Sequence, residues 1–242
     1  MPARRFFATG VRHAGERLQI DGADAHKIVN VLRLRSGDEI ELVDSAGTVF
    51  AATLDVSADT VHAQLDAARA RASERSVVID VAQGIPKGQK MDFVVEKLSE
   101  LGVRAIIPFE SERTIVRGVG ASKSERWQRL ARGAAAQSGR TSVLDVCEPV
   151  SFEGLCARMR GYDAVLFLWE VAQTENLRER LRCLLDGART VLVVVGPEGG
   201  FSHAEAEAAQ AAGAATISLG EAILRTETAA LVAVAIVTYE LS

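Results

Sequence analysis

Two segments in the last fifth of the chain carry residue types that could do chemistry. Gly196-Pro-Glu-Gly-Gly200 follows the apolar run Val191 to Val195, and Leu219-Gly-Glu-Ala-Ile-Leu224 leads into Arg225-Thr-Glu-Thr228. Glycines let a ligand approach the backbone closely, and Pro197 stiffens the turn. With no lysine in the loop, a triphosphate is a poor match and a neutral or zwitterionic adenosyl ligand a good one. A strand-to-helix turn with nothing bound is the competing reading. In the second segment Thr226 or Thr228 suits a helix N-cap, and Glu227 suits the positive end of the helix. Arg225 has no such structural account. A fixed cation at a pocket mouth can stabilise a developing anion or hold a phosphate.

These loops need strands and helices to position them. From Val77 onward strands alternate with helices, the signature of an α/β fold around a mostly parallel sheet, with ligands at the carboxyl ends of the strands. Strands are expected at 77–82, 105–108, 163–169, 190–195 and 214–219. The apolar positions Met91, Val94, Val95, Leu98 and Leu101 predict a helix over 89–101 capped by Gly102. Ser122-Lys-Ser-Glu125 and Ser202-His-Ala-Glu205 read as capping boxes opening two more helices, the first running to about Gln137. A last helix, 226–240, is apolar on most sides and must be buried in the core or against another subunit. Residues 1–70 read as a small β-rich unit with strands at 5–8, 17–20, 39–43, 48–53 and 61–65, a turn at Asp44 to Gly47 and one short helix over 23–31. Short strands around one helix suggest a small barrel. The Ala, Arg and Ser-rich stretch 67–76 is the expected boundary, giving domains 1–70 and 77–242.

Composition narrows the function. The 242 residues are 48% hydrophobic and 25% charged, enough for a real core. No apolar run has the length of a membrane span, and the N-terminal Arg4-Arg5 pair has no long apolar segment behind it, so a cytoplasmic protein is expected. Cys147, Cys156 and Cys183 form no CxxC pair and the four histidines lack metal-ligand spacing, so neither disulfides nor a metal are expected. The formal net charge is −4, yet residues 1–35 hold seven Lys/Arg against three Asp/Glu, and residues 113–140 seven against one. Two basic segments on an acidic body suit a protein that grips a polyanion; ordinary solvated helix faces are the bland alternative.

Six segments, in order, resemble the family of 16S ribosomal RNA uracil-N3 methyltransferases, in the SPOUT superfamily of knotted, S-adenosylmethionine-dependent enzymes. They are Arg4-Arg-Phe-Phe7, His26 to Leu34, Lys87 to Val103, Ala135 to Arg140, Gly196 to Ser202 and Leu219 to Ala229. The resemblance implies a PUA-like N-terminal β-barrel, a C-terminal α/β domain with a trefoil knot, a homodimer, and 16S RNA of the small ribosomal subunit as partner. It implies a cofactor pocket from Leu168 and Trp169, from Gly196, Pro197, Glu198, Gly199 and Gly200, and from Leu219, Gly220, Ile223 and Leu224. Glu221 departs from the family pattern, which is more often basic or proline there, and adds negative charge at the expected RNA entrance.

Methylating N3 of uracil requires loss of its proton and stabilisation of charge on O2 and O4. Arg225 is the expected stabiliser, Glu198 the first candidate base and Glu227 the second. Carbon-5 chemistry would need a cysteine nucleophile, and no cysteine lies in the pocket loops. Because N3 is hidden in a base pair, the target must be unpaired or flipped out. Arg4, Arg5, Arg33, Arg35, Lys87, Lys90, Arg113 and Arg140 are the expected RNA grips. The alternatives are a ribose 2′-O methyltransferase acting on transfer RNA and a non-catalytic RNA-binding assembly factor.

Overall fold

The structure, a computed structural model, describes residues 4–57, 60–69, 77–115, 118–172 and 176–241. The chain divides into two compact units, residues 1–74 with 135–142, and residues 75–134 with 143–242.

The first unit is a curled five-stranded sheet. Its strands are β1 (Arg5–Phe7), β2 (Arg17–Ile20), β3 (Glu39–Val43), β4 (Val49–Val56) and β5 (Val61–Arg69), in the order β1-β3-β4-β5-β2. Alternate side chains, among them Ile40, Leu42, Ala52, Leu54, Ala63 and Leu65, turn to one core with Phe6 and Ile28. The turn after β3 forms because the Asp44 carboxylate accepts from the N–H groups of Ala46 and Thr48. β5 extends through Arg69, into the stretch read as a boundary, and residues 70–76 lie outside the described residues. The single helix expected over 23–31 has two windings. α1 (Gly22–His26) passes into a π-helical turn, Lys27–Val31, whose Ile28 is fully buried.

The second unit is a parallel sheet covered on both faces. It contains β6 (Val78–Gly84), α2 (Lys90–Leu101), β7 (Ala105–Glu110), α3 (Ala121–Ser138, through residue 134), β8 (Asp145–Val146), β9 (Val150–Ser151), α4 (Phe152–Met159) and β10 (Ala164–Leu168). There follow α5 (Leu177–Leu185), β11 (Thr190–Val195), α6 (His203–Ala211), β12 (Ala215–Ile217) and α7 (Thr226–Glu240). The strand order is β12-β10-β11-β6-β7-β8, with β9 also on β7, and every described pairing is parallel. Double coverage explains why β11 is apolar at consecutive positions. Val191, Val193 and Val195 enter a core with Val94, Leu98, Ala230 and Val234, whereas Leu192 and Val194 enter a second with Leu155, Phe167, Phe201 and Ala206.

Local expectations meet mixed outcomes. Gly102 caps α2 with φ 78°, and Ser202 and Glu205 form both bonds of a capping box on α6. Ser122 is not the residue before the helix: α3 begins one residue earlier, at Ala121, so Ser122 lies inside the first turn. The N-cap of α7 is Arg225, making no side-chain cap bond, and Thr226 is the first helical residue. β12 is shorter than 214–219, and α4 and α5 were not foreseen. α7 is not buried all round. Ala230, Ala233, Val234 and Val237 are buried, Leu231, Val232 and Ile236 half-buried, and Tyr239 exposed.

Inside the sheet, β6 carries one buried acid. Asp80 accepts from Arg104 Nε at 3.0 Å, the Tyr162 hydroxyl at 2.7 Å and the Ala105 N–H at 3.1 Å. Burial pushes the Tyr162 hydroxyl pKa up, and its bond to the Asp80 carboxylate adds to that. Asp80→Ala strands the Tyr162 and Ala105 donors in the interior. Urea unfolding should show a loss of roughly 2–4 kcal/mol; a loss below about 1 kcal/mol would mean that water replaces the carboxylate.

Candidate active site

β10, β11 and β12 are neighbours and end on one edge of the sheet. The segment after each strand contributes a wall to a pocket of about 490 Å³. One wall is Leu168-Trp-Glu170, the second Gly196 to Phe201 and the third Ser218 to Leu224, with Arg225, Thr226 and Ala229 of α7 and Lys90 of α2 completing it. Thus Leu168, Trp169, Gly196, Pro197, Glu198, Gly199, Gly200, Leu219, Gly220, Ile223 and Leu224 all stand on this one cavity.

The glycine-containing loop is held by close backbone packing. A Cβ on Gly84, at the end of β6, would lie 2.5 Å from Pro197 N, so only glycine permits the approach. A Cβ on Gly199 would lie 2.9 Å from Arg113 Cβ, and the Arg113 guanidinium donates to the Gly199 carbonyl at 3.0 Å. After the loop, Phe201 anchors it, its ring centroid 4.1 Å from that of Phe167. Below it, the Thr226 hydroxyl donates to the Gly196 carbonyl and accepts from Gln83 Nε2 at 2.8 Å. Sequence reasoning passed over Gln83, a lone amide at the end of an apolar strand.

Charge in the pocket is organised around Lys90. Its ammonium lies 2.9 Å from Glu198 Oε1 and 3.4 Å from Glu227 Oε2, bridging the glycine loop and the start of α7. At 3.4 Å the second contact is an ion pair without hydrogen-bond geometry, and Glu227 Oε2 is buried with no hydrogen-bond partner among the described residues. Burial alone would push the Glu198 carboxyl up. The bond from Lys90 and the N–H groups of Glu198 itself and of Lys87, the last at 3.1 Å, outweigh burial and hold it below the ordinary glutamate value. The bond to Glu198 raises Lys90 above its ordinary value, against burial. Glu198 lines the cavity, whereas Glu227 is not among the residues lining it. Arg225 lines it and is exposed, and among the described residues its guanidinium makes no hydrogen bond or ion pair.

The expected RNA grips fare unevenly. Lys90 belongs to the pocket, and the Arg113 guanidinium braces Gly199. Arg5 is taken up within the first unit. It pairs with Glu41 at 2.6 Å and donates to the carbonyls of Gly139 and Arg140, leaving its side chain 12% exposed. Arg140 is half-buried there. Arg4, Arg33 and Arg35 are exposed on the first unit and Lys87 on the second. Arg33 holds a left-handed backbone at φ 54°, the one non-glycine residue with positive φ among those described.

Comparison with known proteins adds the family. A model described as an RNA methyltransferase domain matches residues 73–238, and one described as an RNA methyltransferase PUA domain matches residues 20–66. The chain is 33% identical to ribosomal RNA small subunit methyltransferase E of Bacillus subtilis (strain 168), over 91% of this chain and 89% of that one. It is 30% identical to the protein of that name from Mycobacterium tuberculosis (strain CDC 1551 / Oshkosh), over 96% and 90%. The crystal structure of a ribosomal RNA small subunit methyltransferase E from Neisseria gonorrhoeae bound to S-adenosyl methionine superimposes with a TM-score of 0.87. That protein is 31% identical, over 98% of this chain and 97% of that one.

The charged bridge has a defined pH window. The lowered pKa of Glu198 contributes stability above the ordinary value of 4.5, lost as pH falls through its lower folded value. The raised pKa of Lys90 contributes stability below 10.5, lost as pH rises through its higher folded value. Lys90→Met leaves burial acting on Glu198 without the ammonium. Its carboxyl, followed by carbon-detected NMR titration, should protonate at higher pH than in the wild type. Coincident titrations would show that Lys90 does not govern it.

Proposed function

Because this chain belongs to the ribosomal RNA small subunit methyltransferase E family, we propose that it uses S-adenosylmethionine to methylate N3 of one uridine in the 16S RNA of the small ribosomal subunit. The observation that carries the reading is Arg225, a cation without a partner among the described residues, on the wall of a pocket otherwise built from backbone loops. The residues present fit the cofactor. The volume is in the range of small-molecule sites. Glu170, Glu198 and Glu221 against Lys90 and Arg225 leave the lining net acidic, which suits a positively charged ligand. When bound, the cofactor supplies a methyl group on a cationic sulfur.

Arg225 holds the negative charge that develops on the uracil oxygens as N3 loses its proton. Glu198 is one of three carboxylates on the wall and the candidate acceptor of that proton. Its lowered pKa makes it a weak base, so most of the acceleration falls to Arg225. Glu227, the second candidate, serves Lys90 from behind the wall. The three cysteines do not line the pocket, and burial pushes the thiols of Cys147 and Cys156 up, away from the thiolate that carbon-5 chemistry needs.

Several finer features follow from the reading. The first unit acts as the PUA-like RNA-binding domain, with Arg4, Arg33 and Arg35 as exposed cations, and Lys87 adds one beside the glycine loop. A homodimer is supported by the half-buried Leu231, Val232 and Ile236 and exposed Tyr239 of α7, with Phe93 of α2 45% exposed. The trefoil knot rests on the likeness to the family alone. A cytoplasmic location follows from a ribosomal substrate. Among the described residues no helix is long and apolar enough to cross a membrane, and no cluster of His, Cys, Asp or Glu could hold a metal.

The test is methyl transfer from labelled S-adenosylmethionine to small subunits lacking their native modifications, with label expected in 3-methyluridine. Arg225→Ala should lower kcat by at least about a hundredfold and leave cofactor affinity within a few-fold. Label in another nucleoside overturns the base chemistry, and wild-type turnover by the variant removes Arg225 from it.

A further inference from the structure

We propose that Gln83 is a positioning residue of this site. Its buried amide sets the direction of a hydrogen-bond relay through Thr226 to the Gly196 carbonyl, and so fixes the glycine loop and Arg225 relative to each other. The inference rests on the methyltransferase reading of the pocket.

Gln83 sits near the end of β6, the strand between β11 and β7, in register with Val195 and Pro108. It is fully buried. Nε2 lies 3.0 Å from the Gly84 carbonyl and 2.8 Å from Thr226 Oγ1. A carbonyl only accepts, so Gly84 fixes which end of the amide faces it. Both Nε2 protons are then assigned, one to Gly84 and one to Thr226. The Thr226 hydroxyl, already accepting, has one proton left to give, and its other neighbour is the Gly196 carbonyl. The relay therefore runs one way from β6 to the glycine loop, with no alternative proton arrangement.

Two further observations show what this arrangement does. Gln83 Oε1 is buried with no donor among the described residues. An apolar side chain would avoid that cost, so filling the core is a poor account of an amide here. Thr226 is also the residue after Arg225. The Arg225 guanidinium has no partner among the described residues to hold it, so its position comes from the backbone: its carbonyl accepts from Ala229 N at 2.8 Å, and its neighbour Thr226 is bonded on two sides.

Gln83→Met keeps length and volume and removes both donors. The probe is S-adenosylhomocysteine binding by calorimetry, with kcat and KM on small subunits and thermal unfolding as a check on folding. We expect unfolding near the wild-type temperature, affinity down about tenfold and kcat down by about tenfold or more. Thr226→Val should do the same, Thr226→Ser should keep wild-type behaviour, and the double variant Gln83→Met/Thr226→Val should be no worse than either single change. Additive losses, or wild-type affinity and kcat in Gln83→Met, overturn the relay. Should Gln83→Met not fold, equal behaviour of Thr226→Val and Thr226→Ser overturns it at the other end. A wild-type protein that binds no adenosyl ligand overturns instead the reading of the pocket.

Discussion

At the carboxyl end of β6, Gly84 runs against Gly196 and Pro197 with no room for a side-chain carbon between the two backbones. That contact brings the glycine loop down to the level at which the start of α7 can reach it. Thr226 bonds the loop from below and Lys90 spans it from the side, touching Glu198 and Glu227. The two bridges join the same pair of segments by different physics. The neutral one is buried and indifferent to pH and salt. The charged one is part-exposed, weakened by screening and confined to a pH window. Arg225 begins the helix that both bridges tie down.

The loop is also anchored at each of its ends, in different cores. Val195 packs on the face shared with α2 and α7, and Phe201 on the opposite face among Phe109, Phe152 and Phe167. A segment pinned on both faces of one sheet has little freedom to drift, and pockets built this way are largely preformed. The apolar pattern of the strands and the chemistry at their ends are therefore one design. A sheet covered on both sides leaves only its edges and strand ends open to a ligand.

Legibility in the sequence followed the range of the interaction. The pocket loop at Leu168 and Trp169 is implied only by the family resemblance, whereas Gly196 to Gly200 and Leu219 to Leu224 were readable because each is a local event, an apolar run broken by glycine or polar residues. The bounds of β11 and α7 and the Ser202 capping box were readable for the same reason. Lys90 was read as an RNA contact because its partners, Glu198 and Glu227, are far along the chain. The same holds for Arg5, whose partners Glu41 and the carbonyls of 139 and 140 are tertiary neighbours. Ser122 fitted the capping pattern, yet the helix starts a residue earlier. The π-helical turn after His26 leaves no mark in a periodicity of 3.6. Gln83 was invisible, since one amide ending an apolar strand has meaning only once Thr226 stands beside it.

Removing the cations that structure consumes changes what the charge pattern means. Counted by sequence, basic residues flank an acidic body. Counted by partner, Arg5 is spent on Glu41, Lys90 on Glu198 of the pocket wall and Glu227 behind it, and Arg113 on a loop carbonyl. Among the described residues the pocket lining then presents Glu170 and Glu221 and one unpaired cation, Arg225. Such a lining attracts a positively charged small molecule and keeps a single positive group for whatever anion forms beside it. On the proposed reading the polyanion is met elsewhere, by exposed residues such as Arg4, Arg33, Arg35 and Lys87. In the proposed function cofactor and RNA are thus recognised by opposite charges, and Arg225 is the point at which the two requirements meet.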